Sequence, residues 1–156
     1  MLNRNWSRWI RVSVNHHFEI LQSDELTEIP IYYEGDERVT NQYSNFAELR
    51  LNGPFIQQPS KDLYYLDILI NVLVQTLIDP LDTDLKDKTV GLFSEGFIDR
   101  IPIFRYGDGP DDDNLLLDCL KLNSGIDIND FCIIKPDVRI MQSQIEAQYR
   151  LQLSNN

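Results

Sequence analysis

The chain has 156 residues, with 25 Asp and Glu against 14 Lys and Arg, a formal charge of −11. Hydrophobic residues make up 42% and charged residues 25%, which supports one packed domain over residues 1–156 and excludes wholesale disorder. The acid excess disfavours a general nucleic-acid surface, which needs Lys and Arg for the phosphates, and no apolar run reaches the roughly 18 residues of a membrane span.

The opening MLNRNWSRWIRV has no smooth apolar stretch before a small-residue cleavage site, so it does not read as a secretory signal. A soluble, intracellular or particle-bound protein is expected. Over residues 5–21, Trp6, Trp9, Ile10, Ser13, Val14, His17, Phe18 and Leu21 recur at spacings of three and four. That period predicts an amphipathic helix. Arg4, Arg8, Arg11 and Asn15 fall on its opposite face. The apolar face packs on the domain's own sheet or docks in part on a neighbouring subunit. Adjacent helical residues point about 100° apart, so His16 and His17 read as structural residues and not as joint metal ligands.

IPIYYEG, residues 29–35, predicts a short strand through the alternation of Ile29, Ile31 and Tyr33. Residues 36–45 read as a polar loop. A second strand is expected over 46–52, with Ala47, Leu49 and Leu51 on one side, ended by Asn52-Gly53-Pro54. YYLDILINVLVQTLI is the most apolar stretch. Tyr64, Leu66, Ile68, Ile70, Val72 and Val74 form one row, and the period of two with β-branched residues argues a strand over 63–76. The two strands flanking 53–62 most simply pair as a long antiparallel hairpin. A dozen residues at ~3.3 Å each reach about 40 Å, so its tip is expected to project.

Asp79-Pro80 stops that strand, and residues 81–96 predict a short helix or an irregular acidic connection. IPIFRYG at 101–107 reads as a strand, with Pro102 keeping it off an interior ladder. Two short strands are expected within 115–134, around a turn at Asn123-Ser124-Gly125. In the closing strand, Met141, Ser143, Ile145, Ala147, Tyr149, Leu151 and Leu153 face one side, and Gln142, Gln144, Glu146, Gln148, Arg150 and Gln152 the other. One side suits a core and the other water or a polar partner. The last residues, 154–156, read as a frayed tail.

Chemistry-bearing motifs are sparse. Cys119 and Cys132 read as reduced, partly buried thiols or as a bridge closing a modest loop; without a CxxC or a nearby His they do not suggest zinc. The run GDGPDDDN places Asp108, Asp111, Asp112 and Asp113 close together, a candidate for a hard cation such as calcium. Its spacing departs from an EF-hand loop, so a solvated acidic loop is expected. Gly107, Gly109 and Pro110 lack the Lys and Ser/Thr of a phosphate loop. No catalytic constellation stands out, and neither an enzyme nor a cofactor is expected. Residues 1–18 carry three Arg and no acid, so the remainder carries 11 bases against 25 acids. A basic helix face on an acidic body suits contact with an acidic neighbour, including a second copy, or is an ordinary solvated face.

An amphipathic N-terminal helix, IPIYYEG, the pair AELRLNGP and YYLDILINVLVQ, and the alternating IEAQYRLQL together resemble the tail-terminator or neck proteins of tailed bacteriophages. The resemblance covers nearly the whole chain through order and length, with residues 97–134 matching least. It implies an α+β fold, an amphipathic N-terminal helix on a mainly antiparallel sheet with a long projecting hairpin. It also implies a structural role without catalysis: a ring, expected to be a hexamer, that caps the tail tube and joins it to the head. Partners would then be other copies of itself, the tail tube and head-connector or neck proteins. DNA would pass through the channel without specific binding, and no membrane would be involved. The location would be the virion, and the host cytoplasm during assembly. Interface candidates are Arg4, Arg8, Arg11, Phe55, Gln57, Gln58, Tyr64 and Tyr65. Other readings are a head-closure or baseplate adaptor, a calcium-dependent binding module using 108–113, and an acidic inhibitor or DNA mimic.

Overall fold

The structure, a computed structural model, describes residues 4–24, 30–33, 45–77, 84–106, 115–135 and 138–154, with side chains described except at 22–24, 132–135 and 138–139. Helix α1 spans Trp6–Asp24. Neither Gly nor Pro interrupts it, and its expected apolar face is the buried one: Trp9, Ile10, Ser13, Val14 and Phe18 are buried, with Trp6 and Leu21 packed at the margin. Trp6 and Trp9 meet edge to face at 5.3 Å between centroids.

The strands are β1 (Ile31–Tyr33), β2 (Phe46–Ser60), β3 (Leu63–Leu77), β4 (Arg100–Arg105), β5 (Leu115–Leu122), β6 (Asp127–Lys135) and β7 (Val138–Ser154), with helix α2 (Leu85–Glu95) between β3 and β4. They form one sheet in the order β1-β2-β3-β7-β5-β4, with β6 also paired to β7. All pairings are antiparallel except β1 with β2. The fold is therefore α+β, a helix on a mainly antiparallel sheet. Helix α1 touches β4 at one end of the strand order and β1 and β2 at the other, so the sheet curls around it. The buried apolar residues form one cluster. No described helix is long and apolar enough to cross a membrane.

The expected alternation governs the two central strands. Leu66, Ile68, Ile70, Val72 and Val74 of β3 and Ile145, Ala147, Tyr149 and Leu151 of β7 are all buried. Each fully buried Leu or Ile contributes about 1.5–3 kcal/mol. Their ladder runs without a break from Leu63 opposite Ser154 to Leu77 opposite Ile140.

One detail differs from expectation and two go beyond it. β2 does not stop at Asn52-Gly53-Pro54; its register shifts between Asn52 and Phe55 and pairing resumes to Ser60. Gly53 makes this bulge possible. Its φ is +116°, and a Cβ there would meet the Asp67 carbonyl oxygen at 2.7 Å. The strand expected over 29–35 is described only as Ile31–Tyr33, and it runs parallel to β2. β5 and β6 do not pair with each other. They lie end to end along the same side of β7, opposite Tyr149–Arg150 and Val138–Glu146 respectively.

Residues 85–95 resolve the choice between helix and connection in favour of helix, with Lys86, Thr89 and Phe93 on its buried side. It ends at Gly96, where a Cβ would sit 2.6 Å from the Phe18 ring. Pro102 lies on β4, at the end of the strand order, where a missing N–H breaks no interior ladder. Gly96→Ala is expected to destabilise the protein by about 1–3 kcal/mol through overpacking against Phe18. Gly91→Ala in α2, where nothing lies within 4 Å of a new Cβ, should stabilise it by about 1 kcal/mol. Urea unfolding of both variants checks the pair.

Candidate functional site

The interface candidates fall in two places. The first is the start of α1, held against the end of β4. The Trp9 indole N–H donates to the Tyr106 carbonyl oxygen at 3.2 Å, and an Arg8 guanidinium N–H reaches the same oxygen at 3.3 Å. The Phe104 N–H donates to Ser13 Oγ at 2.9 Å. These bonds fill the outer margin of β4 with helix side chains. Arg4 and Arg8 are exposed there, whereas Arg11 is half-buried. His17 Nε2 lies 2.8 Å from the Gly96 carbonyl oxygen, a structural contact, while His16 is exposed.

The second place is the far end of β2 and β3. Every residue from Phe55 to Asp62 is exposed, with Phe55 at 54% and Ile56 at 58%. Gln57 and Gln58 belong to this stretch, and Gln58 Nε2 donates to the Lys61 carbonyl oxygen across the turn at 3.3 Å. Tyr64 is half-buried and packs on the core cluster. Tyr65 lies on the other face, under the Arg150 guanidinium, 4.3 Å from its centroid to the cation's carbon.

That guanidinium belongs to a pair that sequence inspection does not reveal. Arg150 Nε and Nη2 donate to the two Asp67 carboxylate oxygens at 2.7 and 3.1 Å. The residues are 83 positions apart in sequence but directly opposite in the β3–β7 register. The Asp67 hydrogen bonds hold the Arg150 pKa above its ordinary value. A forked, two-bond pair fixes geometry as well as charge, and here it braces the base of the exposed stretch. Ile56, beside Phe55 in a polar run, is the signal that sequence reading passed over.

A second missed group joins α2 to β6 and β7. Lys86, only 9% exposed, places Nζ 3.5 Å from both Asp87 and Asp130. Asp130 accepts a hydrogen bond from the buried Ser143 hydroxyl. The Ser143 bond lowers the Asp130 pKa; burial opposes it in part, and Lys86 adds to the lowering. Burial of the Tyr149 hydroxyl, with Asp99 nearby, raises its pKa strongly. That hydroxyl donates to the Ile98 carbonyl oxygen at 2.8 Å.

A shallow groove of about 380 Å³ on the polar side of the sheet is lined by Leu69, Ser124, Asp127, Glu146, Ala147 and Gln148. Among the described residues, no group of three or more His, Cys, Asp or Glu could hold a metal ion. The calcium candidates Asp108, Asp111, Asp112 and Asp113 lie outside the described residues. Cys119 is a free, half-buried thiol, and the Cys132 side chain lies outside the described ones. The chain matches no protein-family model and no curated protein sequence.

The Asp130 pair has a pH signature. A carboxyl whose folded pKa is depressed below 3.8 contributes stability that is complete above that value and lost as pH falls through the folded one. Ser143→Ala should therefore be less stable than wild type at about pH 6, and the gap should narrow towards about pH 2. Urea titrations of both proteins at the two pH values measure it.

Proposed function

We propose that this protein is a structural, non-enzymatic ring subunit of a tailed-bacteriophage neck, of the tail-terminator type, which caps the tail tube and joins it to the head. One observation carries the reading. β2 and β3 continue their pairing to Ser60 and Leu63, yet the β2 side of that end, Phe55–Ser60, is exposed throughout. We read this stretch as the projecting hairpin of the expected fold: an arm, braced by Asp67–Arg150, that would offer Phe55 and Ile56 to a neighbour. Exposed large apolar residues on a rigid element mark contact surfaces. Heterologous contacts of such an arm with the next copy close into a ring when the rotation permits.

The order of elements supports the same reading, because an N-terminal helix on an antiparallel sheet is what the resemblance implies. The charge supports it too. On the polar face of the sheet, Arg50 is paired with Glu48 and Arg150 with Asp67. Those arginines are committed to carboxylates, so a duplex passing such a face would be repelled more than held.

The test is native mass measurement of the purified chain in dilute and concentrated solution, alone and with tail-tube protein. Wild type is expected to form a hexamer of its 18.3 kDa chain. Phe55→Asp with Ile56→Asp should abolish the ring. Such exposed substitutions change stability by no more than about 0.5 kcal/mol each. A wild-type chain that stays monomeric under all these conditions, or turnover of a substrate by it, overturns the reading.

A further inference from the structure

The margins of the sheet are not equivalent. β1 is three residues long. Beyond the part β1 covers, β2 carries Pro54 and Pro59 and two register breaks. The margin of β4 is occupied by Ser13, Trp9 and Arg8 of α1, and Pro102 has no N–H to offer. Prolines, bulges and covering elements are how open edges are protected from pairing with another chain. Among the described residues β6 has none of these; what it carries along its length is charge, at Asp127, Asp130 and Lys135. It runs nine residues without proline, its register along β7 is unbroken, and among the described elements its backbone packs on β7 alone, with the Lys86–Asp130 ion pair linking it to α2. Residues 127–131 are all exposed, with Ile128 and Phe131 each at 49%.

The strand's sequence says what fits there. Read against itself in antiparallel, DINDFCIIK has one register that pairs all nine residues, centred on Phe131. Phe131 then meets Phe131, Ile128 falls opposite Ile134, and Asp127 falls opposite Lys135 at both ends. Strand alternation keeps each pair on a common face. The charge match also answers a local strain. Asp127 stands directly opposite Glu146 of β7, an unfavourable arrangement of like charges. A Lys135 from another copy would complete the row Glu146–Asp127–Lys135. Asp130 adds no repulsion, because it is already committed to Ser143 and Lys86.

We propose that β6 is a self-complementary edge: two copies of this chain pair β6 to β6, antiparallel, around a twofold axis at Phe131, and join their sheets into one. Main-chain hydrogen bonds would supply affinity, and the Phe131 pair and the two Asp127–Lys135 pairs would set the register. This contact is isologous and independent of the hairpin arm.

Sedimentation equilibrium on the full chain carrying Phe55→Asp and Ile56→Asp, which removes the arm contacts, separates the two ideas. Two copies per particle are expected. Asp127→Lys alone, or Lys135→Asp alone, places two like-charge pairs across the axis and should weaken the dimer about tenfold. The two together restore opposite charges and should restore the dimer. A second measurement needs no substitution in β6: its amides should gain hydrogen-exchange protection as the chain is concentrated. A chain that stays monomeric, a dimer indifferent to the single reversals, a double reversal no better than either single one, or β6 amides indifferent to concentration overturns the proposal. A wild-type hexamer with unprotected β6 amides would overturn it while leaving the ring standing.

Discussion

The register between β3 and β7 decides where everything else in this protein goes. A slip of one residue would turn Leu66, Ile68, Ile70, Val72 and Val74 outward together, away from the face that holds the buried row of β7. A slip of two keeps the faces but parts the polar clamps on the other side. Arg150 would lose Asp67, and Gln142 Nε2 would lose the Gln75 side-chain oxygen it now reaches at 2.8 Å. Apolar alternation forbids odd shifts and the two clamps resist even ones. Neither device alone would define a ladder of this length.

The remaining topology follows from that ladder. β7 spans 17 residues, and β3 occupies one side of it from Ile140 to Ser154. The other side is divided, with β6 opposite Val138–Glu146 and the end of β5 opposite Tyr149–Arg150. β5 then leaves β7 to pair with β4. That departure curls the sheet and brings β4 to the helix, where Ser13, Trp9 and Arg8 satisfy its margin. β6 stays on the far side of β5's departure, paired on one flank only among the described residues. The closure that protects one margin is thus what exposes another.

The parts of this architecture that were legible in the sequence are those where burial is written as a period. The face of α1 and the rows of β3 and β7 are examples, since each records which side of an element meets the core. The extension of β2 past Gly53-Pro54 was not legible, because every residue of FIQQPS is exposed and the segment so carries no alternation of burial. The parallel pairing of β1 and the end-to-end placement of β5 and β6 were equally hidden, since period reports burial and not partner. Among candidate site residues, Arg4, Arg8, Phe55, Gln57 and Gln58 are exposed as an interface would require, whereas Tyr64 belongs to the margin of the core. The Asp67–Arg150 fork joins two residues 83 positions apart, and no local pattern announces it.

Charge sets the terms on which copies of this chain meet. At a formal −11 each, two copies repel at long range, and that repulsion is screened within about 8 Å at physiological ionic strength. Association then depends on contacts that are short-ranged and locally matched. Several described cations are unavailable for this, because Arg50, Lys86 and Arg150 are held by carboxylates of their own sheet and helix. Surface contacts must therefore draw on apolar residues, on main-chain groups at open margins and on the few cations placed elsewhere. The exposed Phe55 and Ile56 of β2 meet the first requirement, and a strand edge such as β6 meets the second. Both work best when salt has removed the long-range opposition, which is the opposite of the salt response expected for a protein that grips nucleic acid through its phosphates.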